Sequence, residues 1–292
     1  SYIGGISMSG LDLLAKGYGF KVGGSDMNPS ERTEMLADHG ITIYNSQVAE
    51  NIAEFAPDYI VKTAAILPHN PEVAKATEDG IKIYDRSEFL GLLTESYTSV
   101  INISGTHGKT TTTSMTSLML IEAGKDPTVH LGAEFDAFGG STVRLGGNKD
   151  LLVSEACEFK RSFLQFRSTT AAITNIDHDH VDCYPTIEDV IEVFAEFTDK
   201  VDDNGYIVIT GTDGTIKKSL AVAKDRHEKA GRKLPSVITC SAEGEDADFT
   251  AKNIEFVEGH PHFDIYFKGD KLGRAELKVP GRHNIANSLI AA

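Results

Sequence analysis

Cysteine is scarce in this chain. Cys157, Cys183 and Cys240 stand isolated among 292 residues, and no two form a Cys-x-x-Cys pair. That excludes a disulfide framework and a zinc cluster of the usual spacing, and it suits a reducing compartment. Basic residues are in deficit: 28 lysines and arginines face 43 aspartates and glutamates, a formal charge of −15. A surface for nucleic acid or an anionic membrane needs the opposite balance, so no nucleic-acid partner is expected. Anionic small molecules remain open, because local lysines and helix N-termini can hold them. No apolar run is long enough to cross a membrane and no signal-peptide pattern opens the chain. No membrane insertion is therefore expected, and the cytoplasm is the expected location. The Gly-x-Gly-x-x-Gly fingerprint is missing too, as is the common phosphate-loop pattern with four residues between its glycines. What remains, 40% hydrophobic and 24% charged, is ordinary for a globular protein, and the length makes two domains reasonable.

The most informative stretch is residues 99–124. Val100, Ile101 and Ile103 read as a buried strand, and Gly105-Thr106-His107-Gly108-Lys109-Thr110-Thr111 follows. Met115, Leu118, Met119 and Glu122 then fall at helical spacing, with Gly124 as a stop. A strand, a glycine loop and a helix in that order form a phosphate cradle, with backbone amides and the positive helix end facing an anion. Lys109 adds a point charge for the outer phosphates, and the Thr110 hydroxyl can ligate Mg²⁺.

Ahead of it, short β-rich runs at 20–23, 41–44, 59–63 and 81–84 alternate with helices starting near Ser9, Ser30, Gln47, Pro71 and Ser87. Such alternation implies a parallel sheet flanked by helices, with ligands at the carboxyl ends of strands. The first loop, Ile3-Gly4-Gly5-Ile6-Ser7-Met8-Ser9-Gly10, can set amides and the Ser7 and Ser9 hydroxyls against a diphosphate, and Ser25-Asp26 follow the next strand. Residues 94–98 make a polar hinge. Beyond the phosphate loop, residues 151–155 read as a strand ending in Glu155, and residues 171–176 as another. The latter ends in Asp177-His178-Asp179-His180-Val181-Asp182, a density of acids and imidazoles that suits hard cations, with His178 expected to face solvent. Residues 186–199 carry one apolar helical face. Residues 206–210 and 236–240 read as strands around a basic helix, 216–232, best explained as a solvated face. From 248 to 279 the pattern alternates at period two, as in a small antiparallel sheet, with His260 and His262 in a turn.

Together these motifs resemble the Mur ligase family of peptidoglycan synthesis. GTHGKTTTT is similar to the family's shortened ATP loop, which assigns Gly105, Thr106, His107, Gly108, Lys109, Thr110 and Thr111 to ATP. The family's first loop and the Ser-Asp pair after it bind the UDP end of a sugar nucleotide, which implies Gly4, Gly5, Ser7, Met8, Ser9, Ser25 and Asp26. Thr63, in Thr63-Ala64-Ala65-Ile66, is taken to line the same pocket, and Asn70 to cap a helix. Where the family has Glu-Ala-Asp-Glu-Ser-Asp, this chain reads Glu155-Ala156-Cys157-Glu158-Phe159-Lys160. Glu155 is the implied Mg²⁺ ligand, and Cys157 replaces an aspartate. The family's Asp-His-Met-Asp aligns His180 with a ligand of a second Mg²⁺. The closing Gly-Arg-His-Asn-x-x-Asn puts His283 and Asn287 on the adenine side.

The resemblance implies an α/β chain: a Rossmann-like parallel-sheet domain over residues 1–95 and a phosphate-loop ATPase-type domain over 96–292. It implies ATP and Mg²⁺ as cofactors and ADP-forming ligation, with Lys109, Glu155 and His180 catalytic and Thr110, Glu155 and His180 on metal. In the reaction the resemblance implies, the carboxylate of UDP-N-acetylmuramate attacks the γ-phosphate, and the amine of L-alanine then displaces phosphate from the acyl phosphate. The absence of a lysine near Ala195 agrees with the alanine-adding branch. The family's third domain, which takes the amino acid, has no counterpart here, so a fragment that ligates nothing by itself is expected. A related UDP-muramate peptide ligase and a non-catalytic binding module are the alternatives.

Overall fold

The computed structural model describes residues 3–63, 65–243 and 246–292. Ser1, Tyr2, Ala64, Gly244 and Glu245 lie outside them. The chain forms two compact units, Ser1–Leu93 with His130–Leu145, and Thr94–Val129 with Gly146–Ala292.

The first unit opens with α1 (Ile6–Gly17) and continues through β1 (Gly23–Ser25), α2 (Glu31–Asp38), β2 (Thr42–Tyr44), α3 (Ala49–Phe55), β3 (Tyr59–Lys62), α4 (Pro71–Glu78), β4 (Lys82–Asp85) and α5 (Arg86–Thr94). The sequence sets several of these boundaries directly. Ser30 and Thr33 form a reciprocal capping box on α2. Asn70 caps α4 as expected, accepting from the amides of Glu72 and Val73, with Pro71 at the first helical position. The α1 helix begins at Ile6, earlier than the expected Ser9, with Gly5 as its N-cap. β1 lies a few residues later than expected, and its Gly23 packs against Phe55, where a Cβ would come within 2.5 Å of the ring. The strands pair in parallel, but among the described residues they form two ribbons, β1 with β2 and β3 with β4, instead of one sheet. Gly23 and Gly24 of one ribbon and Tyr59, Ile60 and Val61 of the other line a cavity of about 260 Å³.

In the second unit β5 (Ser99–Ser104) leads into α6 (Lys109–Glu122), and β6 (Thr128–Phe135) starts there before crossing into the first unit. After β7 (Ser141–Arg144) in the first unit, the chain returns through β8 (Leu151–Glu155), β9 (Ser168–Ile173), α7 (Ile187–Thr198), β10 (Val201–Thr210), α8 (Gly214–Lys229), β11 (Ser236–Ser241), β12 (Phe249–Val257), β13 (His260–Phe267), β14 (Asp270–Glu276) and α9 (His283–Ala291). The strand order is β14-β13-β12-β11-β10-β9-β5-β8-β6. β8, β5, β9, β10 and β11 are joined by parallel pairings. Ile103, Val153, Ala172, Phe263, Ile285 and Leu289 fill the core beneath them.

Three expectations need revision. The antiparallel strands are not a sheet apart: β12 pairs in parallel with β11 through Cys240–Phe249 and Ser241–Thr250, so the hairpins extend the main sheet. Asp248 ties the junction, its carboxylate accepting from the Thr239 amide at 2.9 Å. Glu258-Gly259 and Lys268-Gly269 turn the hairpins with positive φ at both residues, the preferred two-residue geometry, so His260 and His262 lie in β13 and not in a turn. The segment His130–Leu145 also belongs to the first unit, whereas the sequence assigned all of 96–292 to the second domain. Its β7 is held against α1 at Gly10, where a Cβ would collide with the Thr142 hydroxyl.

The apolar stripe of 186–199 is α7, capped by Thr186, with Phe194 and Phe197 fully buried and Phe197 stacked on Phe163 at 4.6 Å. Among the described residues, no helix is long and apolar enough to cross a membrane.

Candidate functional site

β5 delivers the chain to Gly105. Its φ of +133° and its close approach to Thr174, whose hydroxyl any Cβ would strike, admit only glycine. Gly108, at φ +84°, is the N-cap of α6 and packs on the Asn287 amide, 2.8 Å from where a Cβ would be. The loop between them is clamped by the end of β9. The amides of Thr106 and His107 donate to the Asn175 backbone and side-chain oxygens at 3.0 and 2.9 Å. The Thr174 hydroxyl and Asn175 amide donate to the His107 carbonyl at 2.6 and 2.8 Å. The Thr106 and His107 amides, expected to face an anion, are thus spent on the loop's own support. The amides at the start of α6, from Lys109 through Thr111, have no intrahelical acceptor, and no acidic side chain occupies that first turn.

The side chains of that turn converge with the ends of β8 and β9. Thr110 Oγ1 donates to Glu155 Oε2 at 2.8 Å. Lys109 Nζ donates to the carbonyls of Gly105 and Thr106 at 2.5 and 3.1 Å, and to Glu158 at 3.1 Å. Glu158 is 3% exposed, and its carboxylate lies 3.7 Å from His180 Nε2. The His180 ring packs on Phe159 with centroids 5.0 Å apart. Burial, then the Glu158 charge, pushes the Cys157 thiol up, away from reactive thiolate. Lys109, Thr110, Glu155, Glu158 and His180 therefore share one locale.

The run 177–182 behaves differently from the expectation of a metal cluster. Asp177, Asp179 and Asp182 point outward, and Asp179 is turned to the His180 amide, the main cause holding its carboxyl below the usual range. His178 is exposed, with Nε2 2.9 Å from the Tyr184 carbonyl. Among the described residues no three His, Cys, Asp or Glu side chains gather closely enough to hold a metal. The Thr110–Glu155 pair nonetheless suits Mg²⁺, which usually takes one or two protein oxygens and fills its remaining positions with phosphate and water.

From the closing motif, Asn287 reaches the loop but is 6% exposed, and its Nδ2 donates to Asn284 at 2.9 Å. Its position supports Gly108 from behind instead of offering an open amide to a base. His283 is exposed at the start of α9 and packs on Gly281.

In the first unit, Gly5, Ser7, Met8 and Thr63 come together with Ile6, Ala65 and Arg86 around a pocket at the N-terminus of α1. Among the described residues no side chain caps that end, and no acidic residue sits in its first turn. Four other expected contacts turn inward. The Gly4 amide donates to Asp26 Oδ2 at 3.1 Å, and Asp26 also accepts from the Asn28 amide. Ser25 is fully buried and donates to Glu72 at 2.7 Å. The Ser9 hydroxyl donates to the Ile6 carbonyl at 3.0 Å within its own helix. Gly4, Ser9, Ser25 and Asp26 thus build the loop and do not present polar groups to a ligand.

Residues 103–292 match the family model of the Mur ligase middle domain, and residues 2–98 that of the Mur ligase family catalytic domain. The chain belongs to the Mur ligase family. The UDP-N-acetylmuramate–L-alanine ligase of Acetivibrio thermocellus is 42% identical over 288 residues, which are 98% of this chain and 58% of that relative. Among solved structures, the UDP-N-acetylmuramate–alanine ligase MurC of Thermotoga maritima superposes with a TM-score of 0.80 at 26% identity, covering 99% of this chain and 62% of the other. The UDP-N-acetylmuramate:L-alanyl-γ-D-glutamyl-meso-diaminopimelate ligase of Neisseria meningitides gives 0.81 at 26% identity, covering 99% and 89%. The chain spans about 60% of the length of the curated relatives it matches.

In this Mur ligase chain, three residues of the sites are not singled out by the sequence reading, although Asn175 and Glu158 lie inside its motifs. Asn175 sits near the end of a β-rich run, and its partner His107 lies 68 positions away. Glu158 follows Glu155 by three positions; a buried acid needs a cation, and Lys109 supplies it, but nothing local links the two. Arg86 opens α5 and reads only as a helix start.

Proposed function

We propose that this chain supplies the sugar-nucleotide and ATP-binding parts of an ADP-forming ligase that joins L-alanine to the carboxylate of UDP-N-acetylmuramate, in the cytoplasm. The observation that carries the reading is the convergence of the α6 N-terminus, Lys109 and the Thr110–Glu155 pair at the ends of neighbouring strands. The α6 amides and Lys109 hold the β- and γ-phosphoryl oxygens and absorb the charge that spreads over them in transfer. Mg²⁺ bound with the nucleotide supplies further neutralisation there, with Thr110 and Glu155 holding one ion and His180 the other. The N-terminus of α1, with Ser7 and Thr63, takes the UDP diphosphate. A carboxylate and a triphosphate repel each other, so fixed positive charge is what lets them approach in line. A carboxylate oxygen then attacks the γ-phosphorus, the bond to ADP breaks, and the alanine nitrogen displaces phosphate from the acyl carbon with loss of a proton.

The 42% identity to an L-alanine ligase favours that substrate; the fold match to a murein tripeptide ligase keeps the peptide-adding reading second. The test is thermal denaturation of the chain with MgATP and with UDP-N-acetylmuramate, separately and together. Each ligand should raise the midpoint in a concentration-dependent way. No shift with either, at millimolar concentration, contradicts the proposal.

A further inference from the structure

Lys109 is fully engaged. An ammonium has three N–H groups and no acceptor, and here they are directed to Gly105 O, Thr106 O and Glu158. The partner carboxylate is fixed as well. The Glu158 carbonyl accepts from the Arg161 amide at 2.9 Å and from the Tyr184 hydroxyl, which pins the backbone beneath it. Its side chain is 3% exposed and Lys109 is 13% exposed, so neither charge is well solvated. Glu158 Oε2 lies 3.0 Å from Nζ as an ion-pair contact but has no aligned hydrogen bond. His180 Nε2 also lies beside it, at 3.7 Å.

A polyphosphate that engages Lys109 must take over at least one of these three positions. The two loop carbonyls belong to the cradle itself, so Glu158 is the partner to be displaced. Displacement leaves a buried carboxylate without its counter-ion, which is strongly unfavourable. We infer that Glu158 is a positioning residue that makes nucleotide binding depend on a second cation: it holds Lys109 in place, and it releases Lys109 to phosphate only when other positive charge arrives beside it. The inference rests on Lys109 being the phosphate ligand. A divalent ion brought with the nucleotide meets the requirement, and uncomplexed ATP does not. The consequence is discrimination between MgATP and free ATP beyond what direct metal–phosphate contacts give.

The experiment measures ATP affinity by calorimetry in Mg²⁺ and in EDTA, for the unaltered chain and for Glu158→Gln. In the unaltered chain Mg²⁺ should tighten binding at least about thirtyfold. In E158Q the metal-free affinity should rise about tenfold, because Lys109 has lost its competing anion, and the gain from Mg²⁺ should shrink correspondingly. Glu158→Asp keeps the charge on a shorter arm and should restore an intermediate dependence; if E158Q fails to fold, this variant carries the test. A purely structural role would lower affinity equally in both buffers, leaving the ratio unchanged, and that result overturns the inference alone. Absence of ATP binding by the unaltered chain in either buffer overturns the phosphate-cradle reading and this inference with it.

Discussion

A charge inside a protein finds a partner or is discharged, and both outcomes occur here. Lys109 and Glu158 are paired. Asp12, on α1, is not: its carboxyl is buried, Oδ2 has no hydrogen-bond partner among the described residues, and burial pushes its pKa up to about 7. The folded state therefore keeps a proton on Asp12 that the unfolded chain releases near pH 4. Stability from this group is complete below that pH, falls as pH rises, and is lost once pH passes about 7. Asp12→Asn should be nearly neutral at pH 4 and more stable than the parent by on the order of 3 kcal/mol at pH 8, read from urea midpoints across that range. A difference that does not grow with pH would mean that Asp12 is ionised in the folded protein. Asp12 reads in the sequence as one more residue of an amphipathic helix, because periodicity reports which face is apolar and not whether an acid on it is dry.

At the scale of the element, the phosphate loop was legible and its support was not. Gly105 and Gly108 announce themselves by spacing, and their positive φ values agree with the turn they were expected to make. The strand before them and the helix after them follow from β-branched and helical periodicity. The clamp from Thr174 and Asn175 depends on β9 lying beside β5, a tertiary fact that no local pattern encodes. The same holds for the first unit, where Ser25 and Asp26 look like ligand groups but are consumed by Glu72 and Gly4. Asn175→Ala removes two supports of the loop while touching neither Lys109 nor Thr110. It should lower MgATP affinity about tenfold, with a loss of roughly 1–2 kcal/mol in stability from the two hydrogen bonds removed, both of them solvent-accessible. Unchanged affinity in a folded Asn175→Ala variant would show that the loop holds its shape without the clamp.

Across the whole molecule, alternation of strands and helices made an α/β architecture plain, and α7 followed from its apolar stripe. Two features lay beyond reach. One is the return of His130–Leu145 to the first unit, which depends on Gly10 admitting β7 close to α1. The other is the continuity of the hairpins with the parallel sheet, which depends on the short β11–β12 pairing. The second unit gathers residues from positions 109, 155, 158 and 180 at one place because β5, β8 and β9 are neighbours and their ends point the same way. That gathering is the physical basis for assigning a polyphosphate to Lys109 and the α6 N-terminus. The most direct measurement is a calorimetric titration of MgATP into the chain, into Lys109→Ala, and into Lys109→Ala with Glu158→Gln, the last removing both charges so that no buried acid is stranded. The expected result is saturable one-to-one binding by the parent and a loss of about thirtyfold or more in both variants, with folding retained in the double variant. Equal affinity in the parent and the double variant would contradict the assignment.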